Sequence, residues 1–412
     1  MNTRTGKIGQ LAENRLWSSV FLGILSLAVL LPGTGTPEVL GQGDETMHIA
    51  TIEQSLVRQS YLIPSLEHAP NFYKPPLLFW ISMASAAVAG DDLLGVRLPS
   101  VIFALFAVIL VYLMLRDFRM NAIIALMIAV AYLFSLAVFK FGRLLMFEQA
   151  MALSVILICF FFGRYLLSGK RLYVVLAGIV SALSFMYKGP IFQVYSGLLL
   201  LSWALVHLLR VKPNPWRWPG KKKIREILIV AVLFHVPMIL PLIWLVYLST
   251  ASLMQDVSGF DWIAYFFIAE NLAKFRESNQ PAGRLLQGWL LYSLPWTPIL
   301  IVMVVAAFRT SIRTNRQLAG WIFLIFTINV TLLHLIPHRK DPYYVVPFVP
   351  ALFVAIGLLL KSRVMYFHRA ARLQQVFLLI VSLLFIMSGV YFYAEWWFWV
   401  VIPIVITIQI AI

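Results

Sequence analysis

Asp44 and Glu45 stand side by side in "GQGDETMHIATIE", in a chain where 12% of residues are charged and 61% are hydrophobic. A carboxylate in such a setting can take a proton from an acceptor hydroxyl or amine as a new bond forms at its heteroatom. Downstream come isolated cations, each in its own short polar stretch: Lys74 in "NFYKPP", Arg143 in "FGRLLMFEQ", Lys188 in "FMYKGP" and Lys340 in "PHRKDPYY". Together they suit a doubly charged phosphate that is leaving, which needs cations more than it needs an acid. Plainer readings stand beside these. Asp44 suits a helix N-cap with Glu45 on a solvated face, and Lys74 suits a lysine reaching toward lipid headgroups. Glu148, five residues after Arg143, either pairs with that arginine or orients a sugar hydroxyl.

The elements that must hold these residues are membrane helices. Hydrophobic runs lie at 16–31, 76–90, 98–115, 121–138, 150–167, 172–186, 191–209, 227–248, 286–307, 318–335, 344–360, 376–393 and 396–412, most of them near the roughly 20 residues that a crossing helix needs. The chain is therefore expected to be an all-α polytopic membrane protein, a single domain over 1–412. No soluble domain, linker, low-complexity tract or repeat is visible. Its ending in an apolar run leaves room for a C-terminal region beyond it. The N-terminal run follows a basic tail but precedes no Ala-x-Ala-like cleavage site, so it reads as an uncleaved first span.

Charge sets the orientation. The chain carries 33 Lys and Arg against 17 Asp and Glu, a formal +16. In a soluble domain that excess would suggest nucleic acid; here the charges sit in short loops between apolar runs, and no nucleic-acid partner is expected. Loop 210–226, "RVKPNPWRWPGKKKIRE", is the most basic, and the tail carries Arg4, Lys7 and Arg15, so both belong in the cytoplasm of a plasma (inner) membrane protein. An even number of crossings must separate them, yet seven runs intervene. The weakest, "PPLLFWISMASAAVAG", is short and opened by two prolines, and is expected to lie flat at the outer interface. About twelve crossings remain. The outer face then receives 32–97, 140–149, 186–190, 250–284 and 337–344, which is where the candidate chemistry concentrates. Positive-inside bias depletes such loops of Lys and Arg, so cations retained there ask for a reason. Within the first outer loop, Asp44 and Glu45 are expected to open a short amphipathic helix through Ile49, Ile52 and Leu56. Neighbours on a helix point in different directions, so the two carboxylates should do separate work.

Cofactor chemistry has little support. His48, His68 and His338 lie near carboxylates or Lys340, but no HExxH or regular His/Cys spacing occurs, so a divalent metal is only weakly supported. The single cysteine, Cys159, sits in an apolar run and reads as packing. There is no Walker A loop, no GxGxxG after a strand and no GxSxG, which removes the main support for nucleotide-driven transport and serine hydrolysis.

Taken in order, the Asp-Glu pair, "FYKPPLLFW", "GVRLPS", "RLLMFEQAM", "SFMYKGP", "FFIAENLAKFRESNQPAG" with "LPW", and "HRKDPYYVVPFVPAL" resemble the GT-C glycosyltransferases of the aminoarabinose-transferase and protein-O-mannosyltransferase type. The resemblance runs from about residue 41 to 360. It implies the GT-C fold and transfer of a sugar from a polyprenyl phosphate to a lipid, glycan or protein acceptor on the extracytoplasmic side. By the same resemblance Asp44 is the general base, Glu45 binds or orients a substrate, and Lys74, Arg143, Lys188 and Lys340 line the donor site. Glu148, Arg276 and Tyr344 occupy motif positions with them. The chain departs from the pattern at three places. Tyr73 stands where aminoarabinose transferases carry a Glu that helps hold a metal, Glu148 replaces an Asp, and no histidine follows Arg276. The competing reading is a lipid-linked sugar flippase or other transporter. Such proteins tend to carry internal repeats and ionisable residues near helix midpoints, whereas the cations here gather at helix ends.

Overall fold

The structure, a computed structural model, describes residues 13–37, 43–67, 69–71, 74–90, 92–208, 220–254, 280–308, 312–337 and 339–359, with positions 268 and 375 alone. His68, Tyr73, Arg276, His338 and the apolar runs 376–393 and 396–412 lie outside the described residues.

The described chain is almost wholly helical: α1 (Arg15–Leu30), α2 (Gly43–Val57), α3 (Leu77–Ala89), α4 (Leu93–Asp117), α5 (Ala122–Leu133), α6 (Leu136–Phe141), α7 (Phe147–Ser168), α8 (Leu172–Lys188), α9 (Ile191–Leu208), α10 (Gly220–His235), α11 (Ile239–Met254), α12 (Gly283–Tyr292), α13 (Thr297–Ala307), α14 (Asn315–Leu333) and α15 (Val349–Leu359). A 3-10 turn over Val236–Met238 joins α10 to α11, and a longer one over Pro342–Phe348 leads into α15. The exception to helix is a two-residue antiparallel ribbon, Ser65–Leu66 against Ala69–Pro70, after α2. The all-α expectation and the short helix opened by Asp44 and Glu45 both hold.

Among the described residues five helices are long and apolar enough to cross a membrane: Leu93–Asp117, Phe147–Ser168, Ile224–Tyr247, Asn315–Leu333 and Pro342–Leu359. Shorter apolar helices accompany them, α3 among them. One expected span is bent. The run 286–307 is not a straight rod but two helices, α12 and α13, meeting at 111°. Pro295 and Pro298 explain the break, since each lacks an amide donor and disfavours helix in the residue before it. The run 121–138 is likewise interrupted, between α5 and α6. The two breaks answer each other, because the Leu136 amide donates to the Leu294 carbonyl at 2.8 Å. In an apolar surrounding, backbone groups freed by a kink must find partners within the protein.

α7 is the central element, packed on α4, α8 and the Pro342–Phe348 turn. α3 folds back on α4 through a turn that demands glycine twice. Gly90 has φ +106°, and a Cβ on Gly95 would lie 1.7 Å from the Gly90 carbonyl oxygen. Asp92 then caps α4, accepting from the Gly95 amide at 2.9 Å.

Candidate active site

Helix α2 carries ionisable residues on two faces. Glu45 and His48, three residues apart, share one face, and both grip the turn that precedes α7. The Leu145 amide donates to Glu45 Oε1 at 2.7 Å, and His48 Nδ1 lies 3.1 Å from the carbonyl oxygen of the same residue. Glu45 is also held by Arg97 of α4, whose Nε and Nη2 donate to its two oxygens at 2.8 and 3.1 Å. Arg97 Nη1 donates to the carbonyls of Thr34 and Thr36, tying in the chain that leaves α1. Every oxygen of this buried carboxylate has a donor, the condition under which an ion pair is tolerated away from water. His48 is packed edge-on against Phe79 and Phe147. Burial holds its imidazole below the ordinary histidine range and Lys74 adds to this, against the pull of the Leu145 carbonyl, Glu148 and Asp44.

Asp44, one residue back, faces elsewhere. Its Oδ2 accepts from the Tyr343 hydroxyl at 3.3 Å and lies 3.8 Å from Arg339 Nη2. Tyr343 is the second residue of the Pro342–Phe348 turn. That turn seats closely on α12, where a Cβ at Gly288 would come within 2.1 Å of the Pro342 carbonyl oxygen. Next to Tyr343, the Tyr344 ring packs at 5.1 Å between centroids. The Lys188 ammonium lies 5.4 Å from the Tyr344 centroid and donates to Glu148 Oε1 at 2.9 Å. Glu148 is buried in the first turn of α7, and its Oε2 has no hydrogen-bond partner among the described residues. Behind Tyr344, His334 packs at 5.4 Å and shares a 2.9 Å hydrogen bond with the Tyr195 hydroxyl.

Of the residues marked in the sequence, Asp44, Tyr344, Lys188 and Glu148 thus line one continuous wall, with Lys74 and Glu148 both acting on the His48 imidazole. The expected alternative of a Glu148–Arg143 pair is corrected: Glu148 pairs with Lys188. Arg143 precedes α7 and turns the other way, donating to the Pro32 carbonyl and stacking on Phe139 at 4.9 Å. Lys340 is buried, with Nζ donating to the Pro337 carbonyl at 2.7 Å while its backbone amide donates to Gln280 Oε1, also at 2.7 Å. Arg97, Arg339, Asp341 and Tyr343 had no assigned role in the sequence, although all four sit inside quoted motifs. Among the described residues no group of three His, Cys, Asp or Glu side chains is placed to hold a metal ion.

An apolar cleft of about 400 Å³ is lined by Trp80 of α3, Leu183 and Met186 of α8, and Ile243 and Trp244 of α11. On α8 its lining reaches Met186, two residues before Lys188.

Comparison with known proteins agrees with this architecture. Residues 73–244 match the family described as dolichyl-phosphate-mannose-protein mannosyltransferase. An undecaprenyl phosphate-alpha-4-amino-4-deoxy-L-arabinose arabinosyl transferase of Pseudomonas fluorescens Pf0-1 is 26% identical over 361 residues, covering 84% of this chain and 59% of the relative. A second such transferase, from P. fluorescens Pf-5, is 23% identical and covers 85% of this chain and 61% of its own length. The chain therefore spans about three fifths of the curated relatives it matches. Among solved structures, ArnT from Cupriavidus metallidurans bound to undecaprenyl phosphate superposes with a TM-score of 0.69 at 18% identity, over 94% of this chain and 66% of that one. Its apo form gives 0.68 over 89% of this chain and 64% of that one. Fold, partial family match and motif order agree: the chain has the fold of the ArnT structures and resembles the ArnT/PMT-like transferases over most of its length.

Proposed function

We propose that this chain transfers a sugar from a polyprenyl phosphate to an acceptor hydroxyl or amine at the extracytoplasmic face of the inner membrane, with inversion at the anomeric carbon. Asp44 takes the acceptor proton as the acceptor heteroatom bonds to that carbon. The bond from the same carbon to the phosphate oxygen breaks, and its electron pair leaves on the phosphate. Lys188 and Lys74 balance that charge, and Glu148 Oε2 accepts a hydrogen bond from the sugar. The resemblance also assigns Arg143, Lys340, Tyr344 and Arg276, the last outside the described residues, to substrate binding. Glu45 acts by holding α2 against the Leu145 turn and so places Asp44.

The single observation that carries this reading is the join between Asp44 and Lys188 through the Tyr343–Tyr344 ring pair, which sets a carboxylate and a cation on one wall. An in-line displacement needs that separation of duties, with the base on the acceptor side and the cation on the leaving-group side. The apolar cleft whose lining includes Met186, two residues from Lys188, suits a lipid-linked donor. The names of the curated relatives point to a polyprenyl phosphate-linked sugar, and their likeness extends over most of this chain.

The test is Asp44→Asn in the full chain. Mass spectrometry of cell-envelope glycolipids and glycoproteins, with and without the protein, identifies the product. The variant is expected to lose that product while the purified protein keeps its affinity for undecaprenyl phosphate. Undiminished product from Asp44→Asn rejects the proposal.

A further inference from the structure

The resemblance assigns Lys340 and Tyr344 to the site but is silent on Arg339 and Tyr343, the residues just before each of them. We propose that Tyr343 and Arg339 are positioning residues that fix the rotamer of Asp44 and so determine which of its oxygens takes the acceptor proton; this rests on the transferase reading above.

The geometry is a relay between segments 299 residues apart in the chain. Asp341, which is buried, accepts from Arg339 Nε on its Oδ2, and its Oδ1 lies 3.9 Å from Arg284 of α12. Arg339 Nη2 donates to the Tyr343 hydroxyl oxygen at 3.2 Å, and the Tyr343 hydroxyl donates to Asp44 Oδ2 at 3.3 Å. The same Arg339 nitrogen lies 3.8 Å from that oxygen. Among the described residues, both polar contacts of Asp44 therefore fall on Oδ2. Oδ1 is left as the oxygen that faces an incoming acceptor. When the acceptor proton moves to Oδ1, the hydrogen bond to Oδ2 is kept, so the carboxyl group need not rotate during the step.

Tyr343 is built to hold this position. Its buried ring is wedged between Phe141 at 6.1 Å and Tyr344 at 5.1 Å, and the turn that carries it is seated on Gly288. Arg339 is equally committed, since its charge is shared between the carboxylates of Asp341 and Asp44. An arginine so neutralised is a poor clamp for a leaving phosphate, whereas its planar fork suits bridging a carboxylate and a hydroxyl at once. This separates it from Lys188, whose partner Glu148 retains an oxygen for substrate.

The experiment compares Tyr343→Phe, Arg339→Met, Arg339→Lys, the Tyr343→Phe/Arg339→Met double variant and Asp44→Asn in the full chain. Two readouts are taken: the rate of product accumulation after induction, and the affinity of purified protein for undecaprenyl phosphate alone. Tyr343→Phe and Arg339→Met are each expected to slow product formation about 10- to 100-fold, the scale of one lost hydrogen bond to a charged group. Undecaprenyl phosphate binding is expected to stay within about twofold of the parent, because a lost positioning contact lowers turnover without lowering ground-state binding. Arg339→Lys, at a half-exposed site, keeps the fold and recovers part of the rate. The double variant is no slower than the slower single one, because both act through the same carboxylate. Parental rates in Tyr343→Phe, additive losses in the double variant, or binding that falls as steeply as the rate each overturn the proposal. Asp44→Asn separates the two levels of failure. If it still forms product, the transferase reading itself falls; if it is inactive while Tyr343→Phe is not, only the positioning role does.

Discussion

Asp44 and Glu45 are adjacent in sequence, carry the same functional group and each meet an arginine, yet their surroundings differ sharply. The Glu45–Arg97 pair has side-chain exposures of 2% and 4%, with contacts of 2.8 and 3.1 Å. The Asp44–Arg339 pair has 32% and 37%, at 3.8 Å. A turn of about 100° per residue separates the two directions on α2. It points one carboxylate into the protein and leaves the other part-exposed beside Tyr343 and Arg339. A sealed carboxylate with every oxygen occupied has nothing left with which to take a proton from a substrate. A half-open one, held on a single oxygen, does. On the proposed reading the first builds the frame and the second acts within it.

The largest effect should come from breaking the sealed pair. Arg97→Met leaves Glu45 buried without its counter-ion, a loss of roughly 3–5 kcal/mol, and also frees the Thr34 and Thr36 carbonyls. Thermal unfolding in detergent is expected to show a collapse in stability that Arg339→Met, at the open pair, does not share. Equal losses in the two variants would erase the distinction. A smaller effect is expected at Lys188, whose pair with Glu148 is intermediate: Lys188 is 19% exposed and Glu148 2%. Lys188→Met should lower stability by about 1–3 kcal/mol through the uncompensated Glu148 carboxylate. Adding Glu148→Gln, which removes that charge, should restore much of it. Product formation should remain lost in both, since neither variant supplies a cation to the leaving phosphate.

Much of this comparison was legible in the chain. The Asp-Glu pair, the helix it opens and its two divergent directions follow from helical spacing alone. Lys188 and Tyr344 could be marked by their motifs. What could not be read was pairing. Glu148 lies five residues from Arg143 and 40 from Lys188, and sequence proximity favoured the wrong partner. The bend at Pro295 and Pro298 was written in the prolines, but apolar periodicity ran straight through it. Arg339 meets Asp44 across a sequence separation that only the packing of α12 against the Pro342 turn resolves. Local signals report which way a side chain leaves its helix; they do not report what waits there.

The subtlest test of the sealed side is its response to acid. His48 meets the carbonyl of Leu145, whose amide meets Glu45, and burial holds its imidazole below the ordinary histidine range, so it is neutral in the fold. With Nδ1 protonated, the neutral ring donates to the Leu145 carbonyl. In the unfolded chain the same ring takes up a proton near its ordinary value, about 6.5. Between that pH and the lower folded value, the unfolded state binds more protons, so stability rises with pH and is lost as pH falls. The loss cannot exceed about 1.4 kcal/mol per pH unit for this one group. Unfolding of the parent protein in detergent should therefore weaken between pH 7.5 and 5.5, and His48→Phe should show a shallower decline, having no proton to take up. Arg339→Met leaves this packing untouched, so its decline should run parallel to the parent's. An identical slope in His48→Phe and the parent would mean that the acid sensitivity arises elsewhere, and that the Leu145 clasp is held by Glu45 alone.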